Sequence, residues 1–256
     1  MDGCILCPRQ CGVDRTERVG YCGSGSLPKV ARAAKHHWEE PCISGTNGSG
    51  AIFFSGCNLQ CAFCQNEVIS HGGQGETVSV ERLAEIFREL ENQGAHNINL
   101  VTPTHYADKI AAALSAVRER LSIPVVYNCG GYERVQTLRA LEGLVDIYLP
   151  DLKYADDTLA QTLSGAKDYF SVATAAIREM VRQVGAPRFE GEKMVSGVII
   201  RHLILPGFVE NSLKVLDWIG ENFAPGEVLV SLMRQYTPMP GMAAPLDRTV
   251  TDEEYD

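Results

Sequence analysis

Three thiols, in the stretch Cys57-Asn58-Leu59-Gln60-Cys61-Ala62-Phe63-Cys64, have the spacing best suited to redox chemistry in this chain. C-x3-C-x2-C supplies one ligand fewer than the four-cysteine cage of a structural zinc or an ordinary iron–sulfur cluster. An iron–sulfur cubane gripped by three corners keeps its fourth iron open to a ligand other than cysteine. The preceding run, Gly50-Ala51-Ile52-Phe53-Phe54-Ser55-Gly56, is apolar and ends in glycine, which predicts a short buried strand opening into a loop. The competing reading is three cysteines packed as small hydrophobes. A glycine-led loop rich in polar residues is a poor place for such a core.

A second set, Cys4, Cys7, Cys11 and Cys22, has the pattern C-x2-C-x3-C-x10-C among the turn residues Pro8, Gly12, Gly20, Gly23 and Gly25. Few apolar side chains surround it, so the segment needs a staple to hold a shape. Four thiolates could bind structural zinc or an auxiliary iron–sulfur cluster, and spacing alone does not separate the two. Cys42 stands alone, which favours packing over ligation. His36 and His37 read as residues of a polar connector. Eight of the nine cysteines fall within the first 64 residues, a clustering that suits metal binding better than disulfides spread over a fold.

The bulk composition narrows the function classes. With 256 residues and 45% hydrophobic content, the chain can bury a sizeable core. A net charge of −9 argues against non-specific binding to nucleic acid or anionic membranes. No long apolar segment and no signal peptide is recognisable, and the start Met1-Asp2-Gly3-Cys4 is polar. A cytoplasmic protein with reduced thiols is expected.

From residue 51 onward, strands and helices alternate. Strands are predicted at 98–101, 124–128, 145–149, 169–173, 197–205 and 228–233. Helices are predicted at 80–93, 110–121, 135–141, 174–184 and 213–223. Near-continuous apolar strands in repeated β/α units imply a parallel sheet buried on both faces. Six or seven units suggest an incomplete barrel. Thr251-Asp252-Glu253-Glu254 reads as a capping-box start so close to the end that a missing C-terminal element is expected.

Working groups in such folds gather where strands end. Those positions hold the cysteine triplet, then Thr102, Thr104 and His105, then Asn128, then Asp151 and Lys153. Asp151 and Lys153 alternate along an extended segment, so both can face one cavity. There a carboxylate can accept from ribose hydroxyls and an ammonium can meet a carboxylate. A solvated loop pair is the alternative for these two. His105 and His202 are candidates for the cavity lining, ranked below them.

The triplet, with aromatic Phe63 before its last cysteine, is the signature of the radical S-adenosylmethionine (SAM) enzymes. The triplet, the β/α units and Asp151-Leu152-Lys153 resemble the pyruvate formate-lyase activating enzymes, and a fuller likeness is to an uncharacterised branch related to them. That likeness is carried by Cys4-Ile5-Leu6-Cys7-Pro8-Arg9-Gln10-Cys11, Ile52 to Leu59, and Gln235-Tyr236-Thr237-Pro238-Met239-Pro240.

The resemblance implies an α/β fold: a partial (β/α)6-type TIM barrel of the radical SAM type at residues 49–256, with a Cys-rich metal-binding extension at 1–48. It implies a [4Fe-4S] cluster on Cys57, Cys61 and Cys64, which cleaves SAM to a 5′-deoxyadenosyl radical that abstracts hydrogen from a substrate. SAM contacts would come from Phe63, Thr102, Thr104, Asn128, Asp151, Lys153 and His202. An electron donor such as flavodoxin or ferredoxin and, as substrate, a glycine of a glycyl radical enzyme follow. A small molecule or peptide is the alternative substrate, and a non-catalytic zinc-binding module the alternative class. Two departures stand out. Thr102-Pro103-Thr104 replaces the Gly-Gly-Glu motif that binds SAM's amino group, and the extra cysteines precede the triplet instead of following it.

Overall fold

The computed structural model describes residues 3–256. Its nine strands are β1 (Lys29–His36), β2 (Ser49–Phe54), β3 (Glu76–Thr77), β4 (Ile98–Val101), β5 (Val125–Cys129), β6 (Ile147–Pro150), β7 (Arg188–Glu190), β8 (Lys193–Leu203) and β9 (Leu229–Met233). One path runs β3-β1-β2-β4-β5-β6-β8-β7, and β9 also pairs with β8. Six strands, β2, β4, β5, β6, β8 and β9, lie parallel and in chain order. Among the described residues, antiparallel pairing is confined to β1 with β2 and β3, and to β7 with β8. Among the described residues no ladder joins β9 to β1 or β3, so the barrel stays open on that side.

Both faces of the parallel strands are apolar, and the two-residue period sorts their side chains into two cores. Val125, Tyr127, Tyr148, Val198 and Ile200 join the large outer cluster, together with Leu83, Phe87 and Leu90 of the helix Val80–Asn92. That helix starts where the Ser79 side chain accepts from the Arg82 N–H at 3.1 Å. Val126, Ile147, Leu149 and Ile199 point inward and pack on Ile43. Ile43 comes from the single turn Pro41–Ser44, and its carbonyl accepts from Asn97 Nδ2 at 2.8 Å. This turn plugs the barrel below the strand C-termini.

The expected strand at 169–173 is the first part of the helix Tyr169–Val184. Tyr169, Ala173, Ala176, Ile177 and Met180 are buried at helical spacing, and that periodicity outweighs the β-leaning Tyr169 to Val172 run. The helix Asp157–Ser164 before it was not anticipated, although Asp156 caps Thr158 and Leu159 and Gly165 ends it in a left-handed turn. The polar connector holding His36 is strand β1, whose polar outer residues suit the second strand from an edge. At the other end, Thr251 and Glu254 form a reciprocal capping box on the turn Asp252–Tyr255.

Candidate active site at the strand C-termini

The loop after β2 opens at Gly56, whose φ is +88°. A Cβ at that position would come within 2.2 Å of Ser24 Oγ and 2.5 Å of the Cys22 carbonyl oxygen, so only glycine fits. Cys57, Cys61 and Cys64 then line one cavity with Phe63, Thr102, Asn128, Cys129, Asp151, Lys153 and Arg201. It encloses about 250 Å³ and widens to about 1130 Å³ with its open mouth. Each thiol has a partner. The Leu59 N–H donates to Cys57 Sγ at 3.3 Å, the Ser164 hydroxyl to Cys61 Sγ at 3.0 Å, and Cys64 Sγ meets Ser70 Oγ at 3.2 Å.

Burial, with Cys61 beside it, pushes the Cys57 thiol up to about 12 against the N–H groups of Gln60 and Leu59. Cys61 is also raised by burial, in part offset by Lys153. Cys57 and Cys61 therefore hold their protons at neutral pH, and metal loading must release them. Among the described residues, no three His, Cys, Asp or Glu side chains converge on a point that one ion could occupy. A cubane spreads its ligands over separate corners, and three thiols on one cavity wall with an unfilled fourth direction fit that group.

Across the cavity, Asp151 Oδ2 accepts from Lys153 Nζ at 2.5 Å and Oδ1 from Arg201 Nε at 2.9 Å. Arg201 Nη2 donates to Asn128 Oδ1 at 2.6 Å, and Glu39 lies 3.6 Å from Arg201 Nη1. Burial alone would raise the Asp151 carboxyl, but Arg201 and Lys153 hold it below its usual range. Burial works against the Lys153 charge too, yet Asp151 and Cys61 keep the ammonium above its usual range. Both stay ionised in a water-poor pocket.

Phe63, Thr102, Asn128, Asp151 and Lys153 are thus brought together with the triplet. Thr102 holds φ +58°, a backbone state costing about 1–3 kcal/mol for a branched residue, with its N–H on the Asn128 carbonyl at 2.9 Å. Thr104, His105 and His202 lie outside the cavity and correct the sequence expectation. Thr104 donates to Glu133 Oε1 at 2.5 Å. His202 is fully buried between the Leu152 carbonyl at 2.6 Å and Ser212 Oγ at 2.8 Å. His105 meets the Ser55 carbonyl at 2.8 Å, and burial pushes it down to about 4. These polar groups serve the frame. Sequence reasoning missed Arg201, although an arginine inside Val198-Ile199-Ile200-Arg201-His202-Leu203 was itself a signal.

Residues 51–219 match the Radical SAM superfamily. The chain belongs to that superfamily. Membership implies a [4Fe-4S] cluster and SAM. It is 29% identical over 245 residues to an uncharacterised protein of Methanocaldococcus jannaschii, MJ0674, covering 92% of this chain and 66% of that one. The fold is similar to that of Streptococcus suis SuiB bound to S-adenosylmethionine, with a TM-score of 0.50 and 18% identity over 72% of this chain and 39% of SuiB. Methylornithine synthase (PylB) gives 0.51 and 18%, over 78% of this chain and 57% of PylB. This chain thus matches only part of the length of each of these proteins. Among the described residues, no helix is long and apolar enough to cross a membrane.

Proposed function

We propose that this protein is a radical SAM enzyme that abstracts hydrogen from a glycine of a glycyl radical enzyme. What carries the reading is a single cavity with three cysteines on one wall and an ionised Asp151–Lys153–Arg201 cluster on the other. Cys57, Cys61 and Cys64 would hold the cluster, which with SAM supplies reductive carbon–sulfur cleavage and hydrogen-atom abstraction. Asp151 would accept from ribose hydroxyls, and Lys153 would meet the SAM carboxylate. Thr102 and Asn128 supply polar groups for the amino end, where the Gly-Gly-Glu motif is replaced. Phe53, Phe63, Leu203 and Met233 line the same space and exclude water. The electron would come from a donor of the flavodoxin or ferredoxin type. Cys4, Cys7, Cys11 and Cys22 form a second thiolate metal site.

The test is anaerobic. The reduced protein is incubated with SAM and candidate glycyl radical enzymes, and a glycyl electron-spin signal is sought. SAM cleavage without that signal for any partner overturns the substrate; deuterium transfer from a peptide or small molecule would then identify the alternative. Zinc alone, with no brown chromophore, overturns the enzyme reading.

A further inference from the structure

We infer that Cys4, Cys7, Cys11 and Cys22 hold an iron–sulfur cluster, not a zinc ion, and that this cluster locks the loop bearing Cys57, Cys61 and Cys64. The second half of the inference rests on the radical SAM reading; the first does not.

The four thiols are gathered by backbone geometry. Cys4 and Gly12 face each other in a hairpin, with Cys4 N–H on the Val13 carbonyl at 2.9 Å and Gly12 N–H on the Cys4 carbonyl at 3.1 Å. The Cys11 and Cys22 sulfurs flank Gly20, where a Cβ would lie 3.2 and 3.6 Å from them. The free thiol of Cys4 neighbours Cys11, and Cys7 neighbours both Cys4 and Cys22. The main-chain N–H of Arg9 lies near the Cys7 sulfur, and those of Val13 and Tyr21 lie near that of Cys11. Main-chain donors beside sulfur suit a thiolate ligand.

Hydrophobic burial does not explain why this segment keeps its shape. Ile5, Val19, Tyr21 and Leu27 are all exposed, while Cys7 and Cys22 are buried. A short segment without a core takes its folding free energy from metal. The kind of metal follows from the spread of the thiols. They are neighbours, yet no three converge on one point, as a tetrahedral zinc with Zn–S bonds of about 2.3 Å demands. The barrel triplet likewise offers no point for a single ion, and there the superfamily implies a cubane. Ligands for a cluster sit on separate corners, so the arrangement suits a cluster at both places.

The lock is a set of bonds between the two thiol sets. The Cys57 N–H donates to the Cys22 carbonyl at 3.2 Å, joining a ligand of each site directly. Gln60 Nε2 donates to the Tyr21 carbonyl at 2.9 Å. Arg9, two residues beyond Cys7, donates to the carbonyls of Asn58 and Ser164, both at 2.8 Å, and of Gly165. Its guanidinium lies 4.1 Å from the Tyr21 ring and 5.2 Å from that of Tyr132. Asn58 follows Cys57, and Ser164 is the residue whose hydroxyl reaches Cys61. One guanidinium therefore ties the first thiol set to the main chain beside two of the three barrel cysteines.

The full chain and its Cys57→Ser/Cys61→Ser/Cys64→Ser variant are reconstituted anaerobically with iron and sulfide. The variant should keep about half the iron and sulfide of the parent and its brown absorption. A variant with no iron, or with zinc only, overturns the first site while leaving the radical SAM reading intact. Equal iron in parent and variant upholds the first site and overturns the radical SAM reading. For the lock, iron release to a chelator is followed through the electron-spin signal that SAM perturbs. Cys11→Ser should speed that release at least tenfold, and so should Arg9→Lys, which keeps all four thiols. An unchanged rate in Arg9→Lys overturns the lock.

Discussion

Asp151 faces two cations, and that stoichiometry shapes the pocket. Lys153 and Arg201 are each largely buried, and a lone carboxylate offsets them at close range while Glu39 stands further from Arg201. Buried charges persist only where each has partners, and here one carboxyl answers both. Below this layer, Glu133 is a different case. Burial pushes its carboxyl up to about 7, although Thr104 and Tyr127 both donate to it. Between about pH 4.5 and 7, the folded chain holds a proton that the unfolded chain has lost. Stability from this group is therefore full below 4.5, falls as pH rises through the window, and is flat above 7. The loss is on the order of 3 kcal/mol. Glu133→Gln, neutral throughout, should remove that decline. Denaturation midpoints of parent and variant at pH 4.5 and 7.5 would show it, and parallel slopes would refute it.

Elements differ in how plainly the sequence announced them. Strands β4, β5, β6 and β8 read as near-continuous apolar runs, because both faces are covered and no solvent side breaks the pattern. The triplet, Asp151 and Lys153 were legible because chemistry-bearing residues interrupt those runs at strand ends. Strand β1 was hidden: an antiparallel addition carries alternate polar residues and resembles a linker. The role of Thr104 and His202 was hidden too, since facing the cavity or the frame depends on a backbone angle at Thr102 and on packing by Ser212. Glycines test the junction between elements. Gly56→Ala meets both a left-handed φ and the Cys22 carbonyl, and should cost about 2 kcal/mol or more while loosening residues 3–25 to protease. Gly220, in the helix Val209–Asn222, has open space around its Cβ position. Gly220→Ala should instead add about 0.5–1 kcal/mol of stability. Thermal melts of the pair with opposite signs are the expected result; equal shifts would remove the steric account of Gly56.

At the scale of the whole molecule, the question is where the cooperative unit begins. The sequence places a boundary at residue 48, between a metal-binding extension and the barrel. Strand β1 lies before that point, yet it zips along β2 from Val30–Phe54 to His36–Ser49. Ile43, also before it, has no exposed surface and fills the space among Val126, Ile147, Leu149 and Ile199. Removing 1–48 would strip β2 of its antiparallel neighbour and leave a hole lined by β5, β6 and β8. Removing 1–28 spares both. A chain starting at Lys29 should therefore melt in one transition, whereas one starting at Ser49 should aggregate through the bared edge of β2. Ile43→Ala in the full chain isolates the plug, and should cost about 2–5 kcal/mol because the parallel strands around it cannot collapse inward. Urea midpoints decide this: a loss well under 1 kcal/mol would mean that the turn Pro41–Ser44 merely rests on the barrel floor.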